Sequence, residues 1–337
     1  MKRWQVWIGF AISVIFLFLA FRGMDFKAIA IALKSADIFW IVPGIPVYFI
    51  GLWLRAVRWK LMLDPAARIE TRKIFSIITI GYMGNNIYPA RLGELVRAAL
   101  LKREEKLAIA TSFTTIILER VFDGIIMVGF VFLNIANISS RIGNDNIKQT
   151  IDSVALWASV VFIISFLFFL AIALFPKQFS RIFNQIILII LPRKIARHGN
   201  QVVDRFFSGL RSLSSAFTIF KVLFLTIIIW LLETIFYWII MQAFSFNVNF
   251  GMLMFLNGFL NLFTIIPSSP GYIGTFDAPG IALLTALGIS KNIAAGYTLL
   301  LHAALWLPVT LVGAYLFAQK GISWNDAVAQ AKKGRSQ

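Results

Sequence analysis

Residues 74–97 read IFSIITIGYMGNNIYPARLGELVR, and this stretch decides the fold. The apolar run 74–88 is too short to cross a bilayer, which takes about 20 residues in a helix. It breaks at Asn85-Asn86-Ile87-Tyr88-Pro89, a run of turn formers. Basic segments flank it: residues 55–73 carry 6 Lys and Arg, and residues 91–106 carry 5. Basic loops stay on the cytoplasmic side. A segment with both flanks there must dip into the membrane and return, as a re-entrant hairpin.

A second such segment lies at 250–288. Its apolar run 250–266 breaks at Pro267-Ser268-Ser269-Pro270-Gly271, and almost no charge precedes it. The same rule makes it start and finish on the outer face. Full spans are expected at about 4–21, 38–63, 107–136, 152–175, 219–244 and 292–318. Met1-Lys2-Arg3 resembles a signal-peptide n-region, and the run after it reads as an uncleaved anchor. Residues 26–36 read as a short interfacial helix. Residues 176–218 are basic with apolar periodicity, and read as amphipathic helices on the cytoplasmic membrane surface. Residues 319–337 form a basic tail.

Composition agrees. Of 337 residues, 59% are hydrophobic, 14% are charged and 33 are Phe. A soluble core stops growing near about 250–300 residues and could not hide this much apolar surface. Soluble enzymes, disordered chains and nucleic-acid binders are thereby excluded. The absence of Cys and the presence of only 2 His remove thiol nucleophiles and His-rich metal clusters, and no cofactor is expected. The net charge of +17 is mostly topological. Of the 32 Lys and Arg, 25 fall in segments assigned to the cytoplasm and 6 in segments assigned outside, with Arg120 inside a span. Both termini are then cytoplasmic.

The expected fold is an all-α polytopic membrane protein with six full transmembrane helices and two re-entrant helical hairpins. Each hairpin is followed by one long span, and the two spans run in opposite directions. That order describes an inverted repeat, with half-repeats at 38–136 and 219–318 and a site at their interface. Two unrelated short hairpins are the simpler alternative.

Three motifs in order, Tyr88-Pro89-Ala90-Arg91-Leu92-Gly93-Glu94-Leu95-Val96-Arg97, Leu118-Glu119-Arg120-Val121-Phe122-Asp123 and Pro267-Ser268-Ser269-Pro270-Gly271-Tyr272-Ile273-Gly274, resemble the transmembrane region of lysylphosphatidylglycerol synthases, also called the flippase-like domain. The resemblance covers about 4–318. The family often carries a glutamate shortly after the last motif, where this chain has Asp277. The soluble aminoacyl-transferase domain of the full synthases has no counterpart in these residues. The resemblance therefore implies lipid translocation or related lipid handling, in a prokaryotic cytoplasmic membrane, and not lipid synthesis.

The residues that could carry this chemistry are few. Glu119, Arg120, Asp123 and Glu233 fall mid-span, where each charge facing lipid costs about 2.5–3.5 kcal/mol. Glu119 and Asp123 share a helix face with Ser112 and Thr115; Thr226, Trp230, Glu233 and Tyr237 share another. Thr298 and His302 do so on the last span. These stripes predict a polar cavity lined from both halves, with a structural ion pair of Arg120 with Glu119 or Glu233 as the alternative. Arg91, Glu94 and Arg97 open the return limb of the first hairpin, where a helix N-terminus and guanidinium groups suit a phosphate. Glu94 is expected to pair with Arg97, and an ordinary amphipathic surface helix is the alternative. Pro89, Gly93, Pro267, Pro270, Gly271 and Gly274 shape the turns, and Asp277 follows the second. Arg55, Arg58 and Lys60 read as snorkelling anchors.

The leading expectation is a transporter of an aminoacylated phosphatidylglycerol-like lipid or a polyprenyl phosphate. The rivals are a membrane-embedded lipid-linked transferase, or a non-catalytic subunit beside a lipid-modifying enzyme. Expected partners are anionic or phosphate-bearing membrane lipids, a second copy of the chain, or such an enzyme.

Overall fold

A computed structural model describes residues 26–88, 91–139, 175–190, 216–264 and 269–321, with isolated positions at 11–22, 160–172 and 192–207. Pro89, Pro267, most of the spans at 4–21 and 152–175, and the tail beyond 321 lie outside the described residues.

The described residues are helical throughout, without strands. The helices are α1 (Phe26–Ser35), α2 (Ile41–Leu63), α3 (Thr71–Ile87), α4 (Leu92–Glu105), α5 (Ile109–Ser139), α6 (Pro176–Ile190), α7 (Ala216–Met241), α8 (Phe250–Phe263), α9 (Asp277–Ala286) and α10 (Lys291–Gln319). Short 3₁₀ turns cover Ile38–Trp40 and Pro270–Tyr272. Among the described residues, three segments are long and apolar enough to cross a membrane: Ile38–Leu63, Ala216–Met241 and Lys291–Gln319. At 31 residues α5 is longer still, but it carries Glu119, Arg120 and Asp123.

The outer faces of these helices are apolar. Ile117, Leu133, Phe217, Phe220, Phe224, Leu311 and Tyr315 are exposed, which in water would be an unusually large apolar surface. The interior combines apolar packing around Leu52, Trp59, Ile77, Phe236 and Tyr297 with a group of buried charges. This arrangement, apolar outside and ionic within, is that of a multi-pass membrane protein.

Helices α3 and α4 form an antiparallel hairpin. Lys73 donates to Glu105 at 2.9 Å at the open end. Near the turn, the Gly93 N–H donates to Asn85 Oδ1 at 2.9 Å. The two backbones cross so closely there that a Cβ on Gly93 would lie 1.8 Å from the Gly81 carbonyl oxygen. A side chain at Gly81 would in turn strike the Arg97 stem, at 2.5 and 2.6 Å. These small residues let Arg97 thread between α3 and α4 into the interior. The second pair, α8 and α9, meets where Leu260 lies beneath Gly280. Asn249 caps α8 by accepting from the Met252 N–H at 2.9 Å.

The pairwise packing is extensive between α2 and α7, between α3 and α10, and between α5 and α8. Helix α4 also packs on α5, and α9 on α10. Each hairpin's first limb thus lies against the long helix that follows the other hairpin.

Candidate functional site

The end of α3 and the start of α4 meet α10, the end of α8 and the 3₁₀ turn at Pro270–Tyr272. The Asn86 side chain donates to the Trp306 carbonyl at 3.3 Å and to Thr310 Oγ1 at 2.9 Å. The Trp306 indole N–H donates back to the Asn86 carbonyl at 3.3 Å. Arg91 reaches from the first turn to the Thr264 carbonyl at the end of α8, at 3.0 Å. Its guanidinium also lies 5.8 Å from the Tyr272 ring centre. Arg91 holds the left-handed backbone conformation, φ +53°, that turns the chain into α4. Gly271 does the same in the second turn at φ +70°, under Trp306, where a Cβ would come within 2.8 Å of the indole nitrogen.

Around this meeting point lies a cavity of about 290 Å³. The first hairpin and α5 contribute Tyr82, Arg91, Arg97, Arg120 and Asp123 to its wall; the second half contributes Trp230, Glu233, Asn261, Tyr272 and His302. Arg55 enters from α2. Of the residues in the polar stripes expected from the sequence, Asp123, Trp230, Glu233 and His302 line this space.

Behind the wall is a buried ionic network. Arg58 is completely buried; it grips both Asp123 oxygens at 2.6 and 3.3 Å and donates to Thr226 at 2.9 Å. It also lies 3.4 Å from Glu119. Arg97 donates to Glu119 at 2.8 and 3.5 Å, and its guanidinium stacks 4.0 Å from the Trp59 ring centre. Trp59 is fixed by donating to Thr115 at 3.0 Å. Arg120 donates to Glu119 at 2.9 Å and lies 3.6 Å from Asp123. Asp123 further accepts from the Trp230 indole at 3.0 Å. Arg55 pairs with Glu233, whose other oxygen accepts from Asn261 at 3.3 Å. Such pairing is what makes buried charge tolerable, since an unpaired ion in this setting costs several kcal/mol.

Several expectations change on these contacts. Arg55 and Arg58 are not snorkelling anchors: they sit in the interior, where Glu233 and Asp123 hold them. Arg97 is not an accessible phosphate ligand. It is buried and committed to Glu119 because Gly81 opens a passage for its stem. Glu94 does not pair with Arg97; it lies 3.9 Å from both Arg91 and Arg120. Arg120 pairs with Glu119 and not with Glu233. The guanidiniums that face the cavity with free surface are Arg91 and Arg120, with side chains 29% and 33% exposed. Asp277 and His302 form a separate pair at the cavity edge, 2.8 Å apart. Pro270 opens the 3₁₀ turn of the second hairpin, and the Gly274 N–H donates to Asp277 at 2.9 Å.

The arrangement offers planar donors to an anion in a small, mostly paired polar space. The sequence pattern of the lysylphosphatidylglycerol synthase TM region matches residues 6–313. A UPF0104 membrane protein of Methanothermobacter thermautotrophicus is 24% identical over 278 residues, covering 79% of this chain and 81% of that protein. A UPF0104 membrane protein of Pyrococcus horikoshii is 25% identical over 331 residues, covering 93% of this chain and 96% of that protein. Glycosyltransferase AglD of Haloferax volcanii is 22% identical over 334 residues, covering 93% of this chain. This chain spans only 54% of the length of that glycosyltransferase.

Proposed function

The chain belongs to the lysylphosphatidylglycerol synthase TM region family, and from that premise we propose that it moves a phosphate-bearing lipid across the membrane. The lipid headgroup enters the cavity between two inverted half-repeats and is held by Arg91 and Arg120. The observation that carries this reading is the exposure of those two guanidiniums, from different helices, into one cavity. Guanidinium binds phosphate oxygens in pairs. A volume of about 290 Å³ sits at the lower limit of small-molecule sites, enough for a headgroup with its acyl or prenyl chains left in the bilayer.

Packing supports the inverted repeat. Exchanging α2 with α7, α3 with α8, α4 with α9 and α5 with α10 carries each principal contact onto another that exists: α3–α10 onto α8–α5, α4–α5 onto α9–α10, and α2–α7 onto itself. Helix lengths support re-entrance. At 17 and 14 residues, α3 and α4 extend about 25 and 21 Å, short of the roughly 30 Å hydrocarbon core. Hairpins entering from opposite faces bring their turns together near the midplane, where alternating access needs the site. In this reading Arg55, Arg58, Arg97, Glu119, Asp123 and Glu233 position the wall and set its field. The lipid is an aminoacylated phosphatidylglycerol or a polyprenyl phosphate, in a prokaryotic cytoplasmic membrane with both termini inside.

The test is reconstitution into liposomes carrying a headgroup-labelled anionic lipid, with leaflet exchange followed by chemical quenching. Wild-type protein exchanges the lipid, and Arg91→Ala, shown to be folded, does not. Unchanged exchange in that variant defeats the assignment.

A second reading rests on the likeness to glycosyltransferase AglD. In it the same cavity holds a lipid phosphate for a transferase, in this chain or in a partner enzyme. Product formed from a labelled sugar donor by the purified chain, or a stoichiometric enzyme copurifying with it, favours that reading.

A further inference from the structure

His302 lines the cavity and takes no part in the proposed phosphate binding, and its hydrogen-bond partners bear on how many protons it holds. Its Nδ1 lies 2.8 Å from Asp277 Oδ1 and its Nε2 lies 2.7 Å from the Gly271 carbonyl oxygen. A carbonyl oxygen only accepts, so Nε2 carries a hydrogen. Asp277 is the first residue of α9. Its Oδ2 already accepts from the Gly274 N–H at 2.9 Å. An ionised carboxylate also only accepts, so Nδ1 carries a hydrogen too. Two N–H groups make the ring an imidazolium.

We infer that the His302–Asp277 pair is a proton-binding site, and that its proton latches the second hairpin to α10. Neutral imidazole has one N–H for two acceptors. On proton loss a nitrogen lone pair must face either the Asp277 carboxylate or the Gly271 carbonyl, and one of the two tethers is lost. Gly271 is the residue packed beneath Trp306 and against the Asn86 carbonyl of the first hairpin. Releasing it therefore loosens the contact of Gly271 with Trp306 and the Asn86 carbonyl in the cavity wall. The Phe276 ring, 4.7 Å from the imidazole centre, covers it on the hairpin side. The other titratable groups around the cavity are Tyr48 and Arg55 from α2, Tyr82 from α3, Arg91 and Arg97 at α4, Arg120 and Asp123 from α5, Glu233 from α7, and Tyr272 from the hairpin. The imidazole's own hydrogen bonds run to Asp277 and Gly271. The proton site stands on this geometry alone. Its coupling to lipid movement rests on the transport reading above, and identifies the proton as the coupling ion.

The chain has two histidines, so His198→Gln leaves His302 as the sole imidazole. That variant, labelled with ¹⁵N-histidine in lipid nanodiscs, is expected to show both ring nitrogens protonated at neutral pH. Adding Asp277→Asn is expected to leave one. A single protonated nitrogen in His198→Gln itself overturns the proton site, and this readout needs no change at the site. In liposomes, a pH gradient of one unit should bias labelled lipid between leaflets up to about tenfold if one proton moves per lipid. His302→Gln should abolish the bias. Lipid exchange in wild type that ignores the gradient overturns the coupling. No exchange under any condition defeats the transport reading, while the nitrogen spectrum still decides the proton site.

Discussion

Glu119→Gln is the sharpest test of the buried network. Glu119 is completely buried, with Arg97 at 2.8 Å, Arg120 at 2.9 Å and Arg58 at 3.4 Å. The amide preserves shape and volume and removes one negative charge. Three guanidiniums are then left around one close carboxylate, Asp123. Of these, Arg97 loses its only ion-pair partner among the described residues while remaining 2% exposed. Removing one member of a buried ion pair costs about 3–5 kcal/mol, and we predict a loss of stability in that range. Arg97→Met placed in the same chain removes the stranded cation. The double variant should recover most of the loss, with a coupling energy of about 2–3 kcal/mol. Reversible unfolding in mixed micelles, run as a four-member cycle, measures both numbers. If Glu119→Gln lies within about 0.5 kcal/mol of wild type, or the two changes simply add, the network is not the dry, mutually dependent cluster described here.

Three further outcomes are expected. Arg91→Gly and Arg91→Ala both lose the guanidinium and should both lose lipid exchange; Arg91 sits at φ +53°, so the glycine variant should be about 1 kcal/mol the more stable in the same unfolding assay. Gly93→Ala puts a methyl 1.8 Å from the Gly81 oxygen and must splay α3 from α4; a cost of about 3 kcal/mol, with loss of exchange, is predicted from comparative melting. Trp59→Phe removes the indole donor to Thr115 and weakens the stack with Arg97; a loss of about 1–2 kcal/mol should appear in denaturant titration.

The sequence made the helical hairpin at 71–105 legible because Asn85, Asn86 and Gly93 interrupt an apolar run between two basic segments. It made Glu119, Asp123 and Glu233 legible because charge inside a span is costly. It misplaced Arg55 and Arg58, since a basic residue near the end of an apolar run looks the same whether it snorkels or turns inward. Charge balance held the missing signal. Three acids, Glu119, Asp123 and Glu233, lie near mid-span against one mid-span cation, Arg120, and two more cations are needed to neutralise them. Arg55 and Arg58 are within reach of that task because the helix continues to Leu63, beyond the position where a snorkelling residue would emerge. Arg97 was misread for a different reason. Its burial depends on Gly81, eleven helical residues and a turn away, and no periodicity within α4 reports that passage.

The placement of charge also bears on how the two proposed half-repeats would separate during transport. All five arginines of the site, Arg55, Arg58, Arg91, Arg97 and Arg120, come from the first half, α2 through α5. The second half supplies Glu233, Asp277 and His302. Among the described ion pairs, Arg55–Glu233 is the buried one that joins the halves, while Lys320–Glu104 joins them nearer the surface. In the proposed transport cycle, rocking the halves apart breaks Arg55–Glu233, at about 3–5 kcal/mol if nothing replaces the carboxylate. A phosphate in the cavity can replace it, since Arg55 lines the wall. The headgroup would then lower the cost of the very motion that carries it. On this argument Glu233→Gln frees Arg55 for the ligand, and we predict tighter binding of anionic lipid by about tenfold, worth about 1.4 kcal/mol. The fluorescence of Trp230, whose ring lies 5.6 Å from the Arg55 guanidinium, offers a local readout during lipid titration. Affinity unchanged or weakened in Glu233→Gln would mean that Arg55 serves the helix packing alone and takes no part in recognising the anion.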